Sequence, residues 1–125
     1  MKYAFVQTLF EEAKKNPRIM LLTADLGFTV FEEFQQTLPA QFINVGMAEQ
    51  NLMGVASGLA LTGHVVFAYS IATFATMRPF EFIRNDIAAT NASVIVVGTG
   101  AGLCYHEAQL PHHALEDIAL MRMIP

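Results

Sequence analysis

Apolar residues recur along the chain at two alternating spacings, which predict helices and strands in turn. Residues 3–15 have the spacing of an amphipathic helix, with apolar positions three or four apart and charged positions between them. Further helices are predicted over residues 30–37, 48–61, 78–89 and 113–121. Continuous apolar runs predict strands over residues 18–23, 41–45, 64–69 and 92–97.

The alternation of helices with wholly apolar strands predicts an α/β fold, a parallel sheet with helices on both faces. Folds of this kind usually contain five or six strands. Only four are predicted here, and the chain stops at Pro125 where a further strand would begin. We therefore expect residues 1–125 to be one domain that is incomplete at its C-terminus.

Composition narrows the class of protein. Of the 125 residues, 54% are apolar and 14% are charged, whereas about 25% of the residues of an average protein are charged. Because few side chains are left to interact with water, another domain or subunit is expected to cover much of the surface. The net charge of −4, without a basic cluster, argues against nucleic-acid binding. The single Cys104 and the lack of a signal peptide predict a cytoplasmic protein.

The 27 residues from 51 to 77 contain no charged side chain, which raises the alternative of a membrane span. Glycines and polar residues divide the run at about Gly63, so two short buried elements are predicted instead. The small residues of the predicted helix 48–61, including Gly54 and Gly58, are expected to let neighbouring elements approach closely.

Glu49 carries the last charge before this run, at the start of a helix that is otherwise predicted to be buried. Burial of a carboxylate is costly unless the group is paired or takes a proton. A bound ligand is one candidate partner for Glu49.

The glycines Gly98, Gly100 and Gly102 follow the last predicted strand. A dinucleotide-binding fingerprint would place its third glycine where Leu103 stands. A turn in which backbone passes close to a neighbour is favoured, and a phosphate-binding nest is the alternative.

Three histidines near the C-terminus, His106, His112 and His113, lie close in sequence to Glu116 and Asp117. Their spacing matches no zinc pattern, so no metal site is predicted. A loop histidine that faces a substrate is favoured, because loops after parallel strands carry function in α/β folds.

Aromatic residues cluster between positions 74 and 82, with Phe74 and Phe80 on either side of Met77. Composition favours core packing for these side chains. The functional alternative is a flat ring that binds next to Phe74.

Residues 45–51, which contain Glu49, together with residues 69–86, which contain Phe74, resemble the pyrimidine-binding domain of transketolase-like thiamine diphosphate enzymes. The similarity covers essentially the whole chain, including residues 23–26 and 112–119. It is greatest to the C-terminal subunit of split transketolases, whose diphosphate-binding domain is a separate chain. The resemblance implies the thiamine diphosphate-binding fold, without its last strand or strands or any C-terminal domain.

The resemblance also implies site residues. Glu49 would hydrogen-bond N1′ of the aminopyrimidine ring of the cofactor, and His112 would face the substrate. The implied cofactor contacts comprise a stacking ring, two further side chains of the same pocket and two residues of the first loop: Phe74, Met77, Phe80, Asp25 and Leu26.

The implied activity is transfer of a two-carbon ketol unit between sugars or sugar phosphates. Thiamine diphosphate would be bound together with Mg²⁺ or Ca²⁺ held by the diphosphate-binding N-terminal subunit, in a homodimer or heterotetramer. The chain has no Gly-Asp-Gly sequence for that half-site, so alone it is expected to be inactive. The alternatives are a 2-oxoacid dehydrogenase first-component beta-like subunit and a non-catalytic assembly or regulatory module.

The sequence departs from the family pattern at the predicted substrate loop. Residues 109–112 replace a Gly-Pro-Thr-His-like stretch, and Ala108 replaces an acidic residue that contacts sugar hydroxyls. Gly100 stands where sugar-phosphate transketolases often have a histidine. These differences predict altered specificity in the loop 105–111.

Overall fold

The fold is built on one sheet of four parallel strands in a computed structural model that describes residues 2–125. The strands are β1 Ile19–Thr23, β2 Phe42–Asn44, β3 Val65–Ile71 and β4 Val94–Thr99. Their order is β2-β1-β3-β4, so β1 and β3 form the centre of the sheet. Leu21 of β1 lies between Phe42 and Phe67 in the register. The predicted parallel sheet is confirmed, with strand ends displaced by one or two residues.

Helices connect the strands. They are α1 Lys2–Lys15, α2 Glu32–Thr37, α3 Glu49–Leu61, α4 Ala72–Thr76, α5 Phe80–Phe82 and α6 Asp117–Met121. Single 3-10 turns lie at Pro39–Gln41, His106–Ala108 and Leu110–His112. The predicted amphipathic opening helix is confirmed, because Val6, Leu9 and Phe10 of α1 are buried on one side.

The helix predicted over residues 78–89 is present from Phe80 to Ala88, but it starts two residues later and most of it is π-helical, and a separate helix, α4, precedes it. The chain forms α4, passes through Pro79, and continues as α5 and a π-helical turn, Ile83–Ala88. Proline lacks an N–H and disfavours helical backbone in the residue before it, which separates α4 from α5. Ser57 of α3 donates a hydrogen bond to the Asp86 carbonyl at 2.6 Å, and this bond helps to hold the π-helical turn.

The final helix begins at Asp117 rather than at His113. Ala114 instead pairs with Gly102 in an isolated antiparallel bridge, with hydrogen bonds of 2.9 and 3.0 Å. Because this bridge holds residues 113–114 extended, the helix cannot start before it. Contacts distant in sequence therefore override the local helical pattern.

Helices cover both faces of the sheet, as predicted. On one face, Leu52 and Met53 of α3 pack with Ile83 and Ile87 against Leu22 and its neighbours in the sheet. On the other face, α1 and α2 pack against Leu21 and Tyr69. Every one of these side chains is less than 9% exposed, so each face has its own apolar core.

The uncharged run 51–77 is divided between α3, β3 and α4, which confirms separate buried elements. Within residues 2–125, no helix combines the length and the apolar character needed to cross a bilayer. The expectation that the glycines of α3 let neighbouring elements approach closely is confirmed for Gly54 but not for Gly58. A Cβ on Gly54 would lie 3.9 Å from the Phe82 ring, whereas a Cβ on Gly58 would meet nothing within 4 Å.

Candidate functional site

Glu49 is the first residue of α3 and lies at the sheet edge where the parallel strands end. After β2, a turn at Gly46 with a φ of +75° leads into the helix, and such a φ is readily adopted by glycine. Glu49 is only 3% exposed. A carboxylate in the first turn also interacts favourably with the helix dipole. The predicted burial of Glu49 is therefore confirmed.

Two side chains from elsewhere in the chain satisfy this carboxylate. Ser70, in β3, donates a hydrogen bond to Oε1 of Glu49 at 3.2 Å, and Nη1 of Arg78 donates to Oε2 at 2.9 Å. Ser70 is buried, whereas the Arg78 side chain is 47% exposed. The carboxylate thus has a buried neutral partner and a charged partner that reaches solvent.

Arg78 also covers the face of Phe74, which lies one helical turn before it. The guanidinium carbon is 3.7 Å from the centre of the Phe74 ring, which is a cation–π geometry. We call the group formed by Glu49, Ser70, Phe74 and Arg78 the carboxylate site. This site contains Glu49 and Phe74, the two residues for which the resemblance implies the hydrogen bond and the stacking contact to the cofactor.

Sequence analysis gave no role to Ser70 or Arg78. The position of Arg78 nevertheless held a signal, because it is the first charged residue after the uncharged run and Glu49 is the last before it. Two opposite charges at the ends of an apolar segment are candidates for pairing with each other, since neither has a nearer charged neighbour within that segment. Ser70 has no comparable signal in the sequence.

His112 approaches the carboxylate site from the segment after β4. Its ring centre is 5.0 Å from that of Phe74 and 6.1 Å from that of Tyr105, and both pairs are edge-on. Thr73 donates a hydrogen bond to the Pro111 carbonyl at 3.0 Å, so the segment is tied to α4. We call residues 102–114, closed by the Gly102–Ala114 bridge, the histidine loop.

Two ring nitrogens at the end of the histidine loop are buried without a hydrogen-bond partner among residues 2–125. They are Nδ1 of His112 and Nε2 of His113. Buried polar atoms in folded proteins are normally paired, so each nitrogen has unused capacity for a ligand, a water molecule or another segment.

Gln109 lies within the histidine loop with a φ of 60° and a ψ of −161°. This backbone region is essentially restricted to glycine. The resemblance implies a glycine at this position, and Gln109 has a backbone conformation that glycine adopts readily. The altered sequence of the loop therefore carries local backbone strain.

Asp25 and Leu26 lie beyond the end of β1, at the same edge of the sheet. Asn44 donates a hydrogen bond to Oδ1 of Asp25 at 3.1 Å, and Oδ1 of Asn44 accepts from the Asp25 amide at 3.0 Å. Leu26 packs into the core that faces α1 and α2, on the opposite side of the sheet from the body of α3. Met77, 38% exposed, directly follows α4, and partly buried Phe80 begins α5.

The glycines after the last predicted strand have structural roles. Gly98 and Thr99 still belong to β4, and a Cβ on Gly98 would lie 3.0 Å from Ala72. Gly100 has a φ of +75°, and a Cβ there would overlap the ring of Tyr105. The interpretation of close backbone approach therefore fits these two glycines. Among residues 2–125, no group of three or more His, Cys, Asp or Glu side chains is placed to hold a metal ion.

The sequence and fold are similar to those of transketolases. A "Putative transketolase C-terminal section" of Methanocaldococcus jannaschii is 44% identical over 126 residues, which cover 100% of this chain and 40% of the relative. One of the subunits of an apulose-4-phosphate transketolase of Phocaeicola vulgatus is 36% identical, over 98% of this chain and 39% of the relative. The chain thus spans about 40% of the length of these curated relatives.

Solved structures agree. One described as "Split gene transketolase, inactive beta4 tetramer" has a TM-score of 0.82 and 42% identity, covering 98% of this chain and 39% of the other. "Transketolase from Leishmania mexicana" has a TM-score of 0.83 at 22% identity, which is a likeness of fold alone, over 99% of this chain and 20% of the other. The family described as "Transketolase, pyrimidine binding domain" matches residues 1–125, and the chain belongs to that family.

Proposed function

We propose that this chain forms the pyrimidine-binding half of a thiamine diphosphate-dependent transketolase, which transfers a two-carbon ketol unit between sugars or sugar phosphates. The observation that supports this most directly is the carboxylate site. A buried carboxylate, Glu49, and an aromatic face, Phe74, contact the same guanidinium at the edge where parallel strands end. Ligands bind at this edge in α/β folds.

The residues present fit an aminopyrimidine ring chemically. Such a ring is planar, and in its protonated form it offers N–H donors at its edge. The carboxylate site already binds a group of this kind, because the planar Arg78 guanidinium stacks on Phe74 and donates to Glu49. An acceptor and a stacking surface are thus arranged for one flat, cationic donor.

In this proposal, bound thiamine diphosphate supplies the nucleophilic carbon that takes up the two-carbon unit. Glu49 would hydrogen-bond N1′ of the pyrimidine ring and share one proton with that nitrogen. Ser70 keeps the Glu49 carboxylate oriented through its bond to Oε1. Phe74 sets the plane of the ring, and the surrounding apolar core excludes water from the carboxylate.

His112 is proposed to contact the sugar, because it lies against Phe74 and its Nδ1 has no partner among residues 2–125. Asp25, Leu26, Met77 and Phe80 are proposed as further cofactor contacts from the first loop and from the segment between α4 and α5. The diphosphate and its Mg²⁺ or Ca²⁺ are assigned to a partner domain.

The proposed partner is a diphosphate-binding N-terminal subunit, in a homodimer or heterotetramer in the cytoplasm. One relative is named as a C-terminal section and another as one subunit of a transketolase, and both names support a divided enzyme of this kind. They also favour a transketolase over a 2-oxoacid dehydrogenase. One structural neighbour is described as inactive, in keeping with our expectation that this chain has no activity alone.

The proposal is tested by producing the full-length protein with its diphosphate-binding partner and measuring ketol transfer. Glu49→Gln is expected to lower the rate by about 100-fold or more, because an amide can accept a hydrogen bond but cannot take up or share the ring proton. Glu33→Gln removes an exposed carboxylate on α2 and is the matched control. Full activity in Glu49→Gln would contradict the assigned role.

Thermal stabilisation by thiamine diphosphate with Mg²⁺ provides a second test. No stabilisation in any combination with the partner would favour a non-catalytic module of the same fold. The departures at Ala108 and Pro111 in the histidine loop are the observation that supports this second candidate.

A further inference from the structure

We propose that Arg78 is a built-in competitor of the cofactor. Its guanidinium lies against Glu49 and Phe74, the two residues proposed to hold the aminopyrimidine ring, and it would have to move away before that ring binds. This inference rests on the proposed function. Its basis is the contact of Arg78 with Glu49 and Phe74.

The geometry shows why both groups cannot bind at once. Nη1 of Arg78 donates a hydrogen bond to Oε2 of Glu49 at 2.9 Å. The guanidinium carbon of Arg78 lies over the Phe74 ring, 3.7 Å from the ring centre. The other oxygen of Glu49 accepts a hydrogen bond from Ser70. Around the Phe74 ring, His112 approaches edge-on with its centre 5.0 Å away. A ring that stacks on Phe74 and bonds to Glu49 therefore needs the place that the guanidinium holds.

The chemistry explains why Arg78 suits this place. Guanidinium is planar, permanently charged and rich in N–H donors, and it stacks on aromatic faces. It therefore satisfies Oε2 of a carboxylate that is only 3% exposed. Without Arg78, this largely buried carboxylate would keep one side-chain hydrogen bond, from the neutral hydroxyl of Ser70.

The two partners differ in their freedom to leave. The Arg78 side chain is 47% exposed, whereas that of Glu49 is 4% exposed. Arg78 also lies between α4 and α5, next to Pro79, where no regular helix fixes the backbone. The guanidinium can therefore turn into solvent while the carboxylate stays in place. The structure assigns movement to Arg78 and a fixed position to Glu49.

Binding of the cofactor is then weakened by the fraction of time that Arg78 occupies the site. Arg78→Met removes the charge and the planar donor while keeping an apolar stem. The affinity of the full-length protein and its partner for thiamine diphosphate is expected to rise roughly 10-fold, in keeping with the loss of a cation–π contact and an ion pair whose cation is 47% exposed and therefore screened by solvent. Arg78→Lys keeps the charge without the planar stack and is expected to show a smaller increase.

The affinities are measured by isothermal titration calorimetry at fixed Mg²⁺. Arg84→Met is the matched control, because Arg84 is exposed on the same segment and its side chain bonds to Asn85 rather than to Glu49. Its affinity is expected to equal that of the wild type. Unchanged or weaker binding in both Arg78 variants would overturn the proposal.

A second measurement separates this inference from the proposed function. Without cofactor, Arg78→Met and Glu49→Gln should each lower the melting temperature, and the double variant should lower it by less than the sum, because both remove one contact. Additive shifts would overturn the contact whatever the protein binds. If the shifts are non-additive and no variant binds thiamine diphosphate, the proposed function fails and the ion pair is structural only.

Discussion

The carboxylate site and the histidine loop meet at Phe74 but are built in different ways. Glu49 and Ser70 lie on a helix start and on a central strand, and both are buried. The histidine loop contains short 3-10 turns and is held by a two-residue bridge, one hydrogen bond from Thr73 and edge-on ring contacts. Most of its residues are exposed.

Under the proposed function, this difference would separate the residues that bind the cofactor from those that select a substrate. Groups on regular, packed elements hold their positions within narrow limits, as a proton-sharing carboxylate requires. A loop with few anchors accepts sequence change at little cost to the fold. The departures that the resemblance implies lie in the histidine loop and next to it, at Gly100.

The contrast between the packed carboxylate site and the exposed histidine loop is tested most strongly by replacing one leucine of each region with alanine. Leu52 is fully buried in α3 beneath the carboxylate site, and Leu110 in the histidine loop is 73% exposed. Leu52→Ala should lower the free energy of unfolding by about 2–5 kcal/mol, because it leaves a cavity. Leu110→Ala should change it by less than about 0.5 kcal/mol. Urea denaturation of the full-length protein measures both, and equal losses would contradict the distinction.

A smaller difference is expected from the two hydroxyl groups that serve these regions. Ser70→Ala should cost about 1.5–3 kcal/mol, because it removes a hydrogen bond to a buried charged group. Thr73→Val should cost about 0.5–1.5 kcal/mol, because the Pro111 carbonyl can turn to solvent. Thermal denaturation of both variants in the unloaded protein checks the order, which would be refuted by a larger loss at Thr73.

The strain in the histidine loop predicts a stabilising change. Gln109→Gly should raise the free energy of unfolding by about 1 kcal/mol, because glycine adopts a φ of 60° and a ψ of −161° without the steric cost that glutamine incurs there. The same substitution at Gln7, within α1, should lower it by about 0.5–1 kcal/mol. Changes of the same sign in both variants, by urea denaturation, would argue against strain at Gln109.

The smallest effect concerns the outer side of α3. Gly58 lies in the helix, is exposed, and leaves open space where a Cβ would lie, so Gly58→Ala should stabilise the protein by about 0.8–1 kcal/mol. Affinity for thiamine diphosphate should not change, because the substitution is distant from Glu49 along the helix. A loss of stability would show that another part of the assembly covers this face of α3.

Much of the fold followed from local patterns. Wholly apolar strands separated by amphipathic segments predicted the parallel sheet and its order of elements, because burial on both faces requires such strands. The helix before Pro79, α4, was not predicted, and neither was the start of α6 at Asp117. The start of α6 depends on the bridge between Gly102 and Ala114. Contacts of this kind leave no local pattern in the sequence.

The site divides in the same way. The burial of Glu49 followed from its place before an uncharged run, and the resemblance supplied Phe74 and His112 as its companions. The pairing of Glu49 with Ser70 and Arg78 depends on strand order, which brings together residues 21 and 29 positions apart. The roles given to Asp25, Leu26, Met77 and Phe80 stay predictions.

The sequence separation within the carboxylate site also bears on biosynthesis. During translation, Glu49 emerges well before its two partners, and the chain grows at about 5–20 residues per second. The carboxylate therefore remains hydrated until Ser70 has entered the sheet beside β1 and Arg78 has left the ribosome. Desolvation of Glu49 therefore follows the pairing of β3 with β1, whereas β4 and α6 lie later in the chain, so this ion pair can close before the sheet is complete.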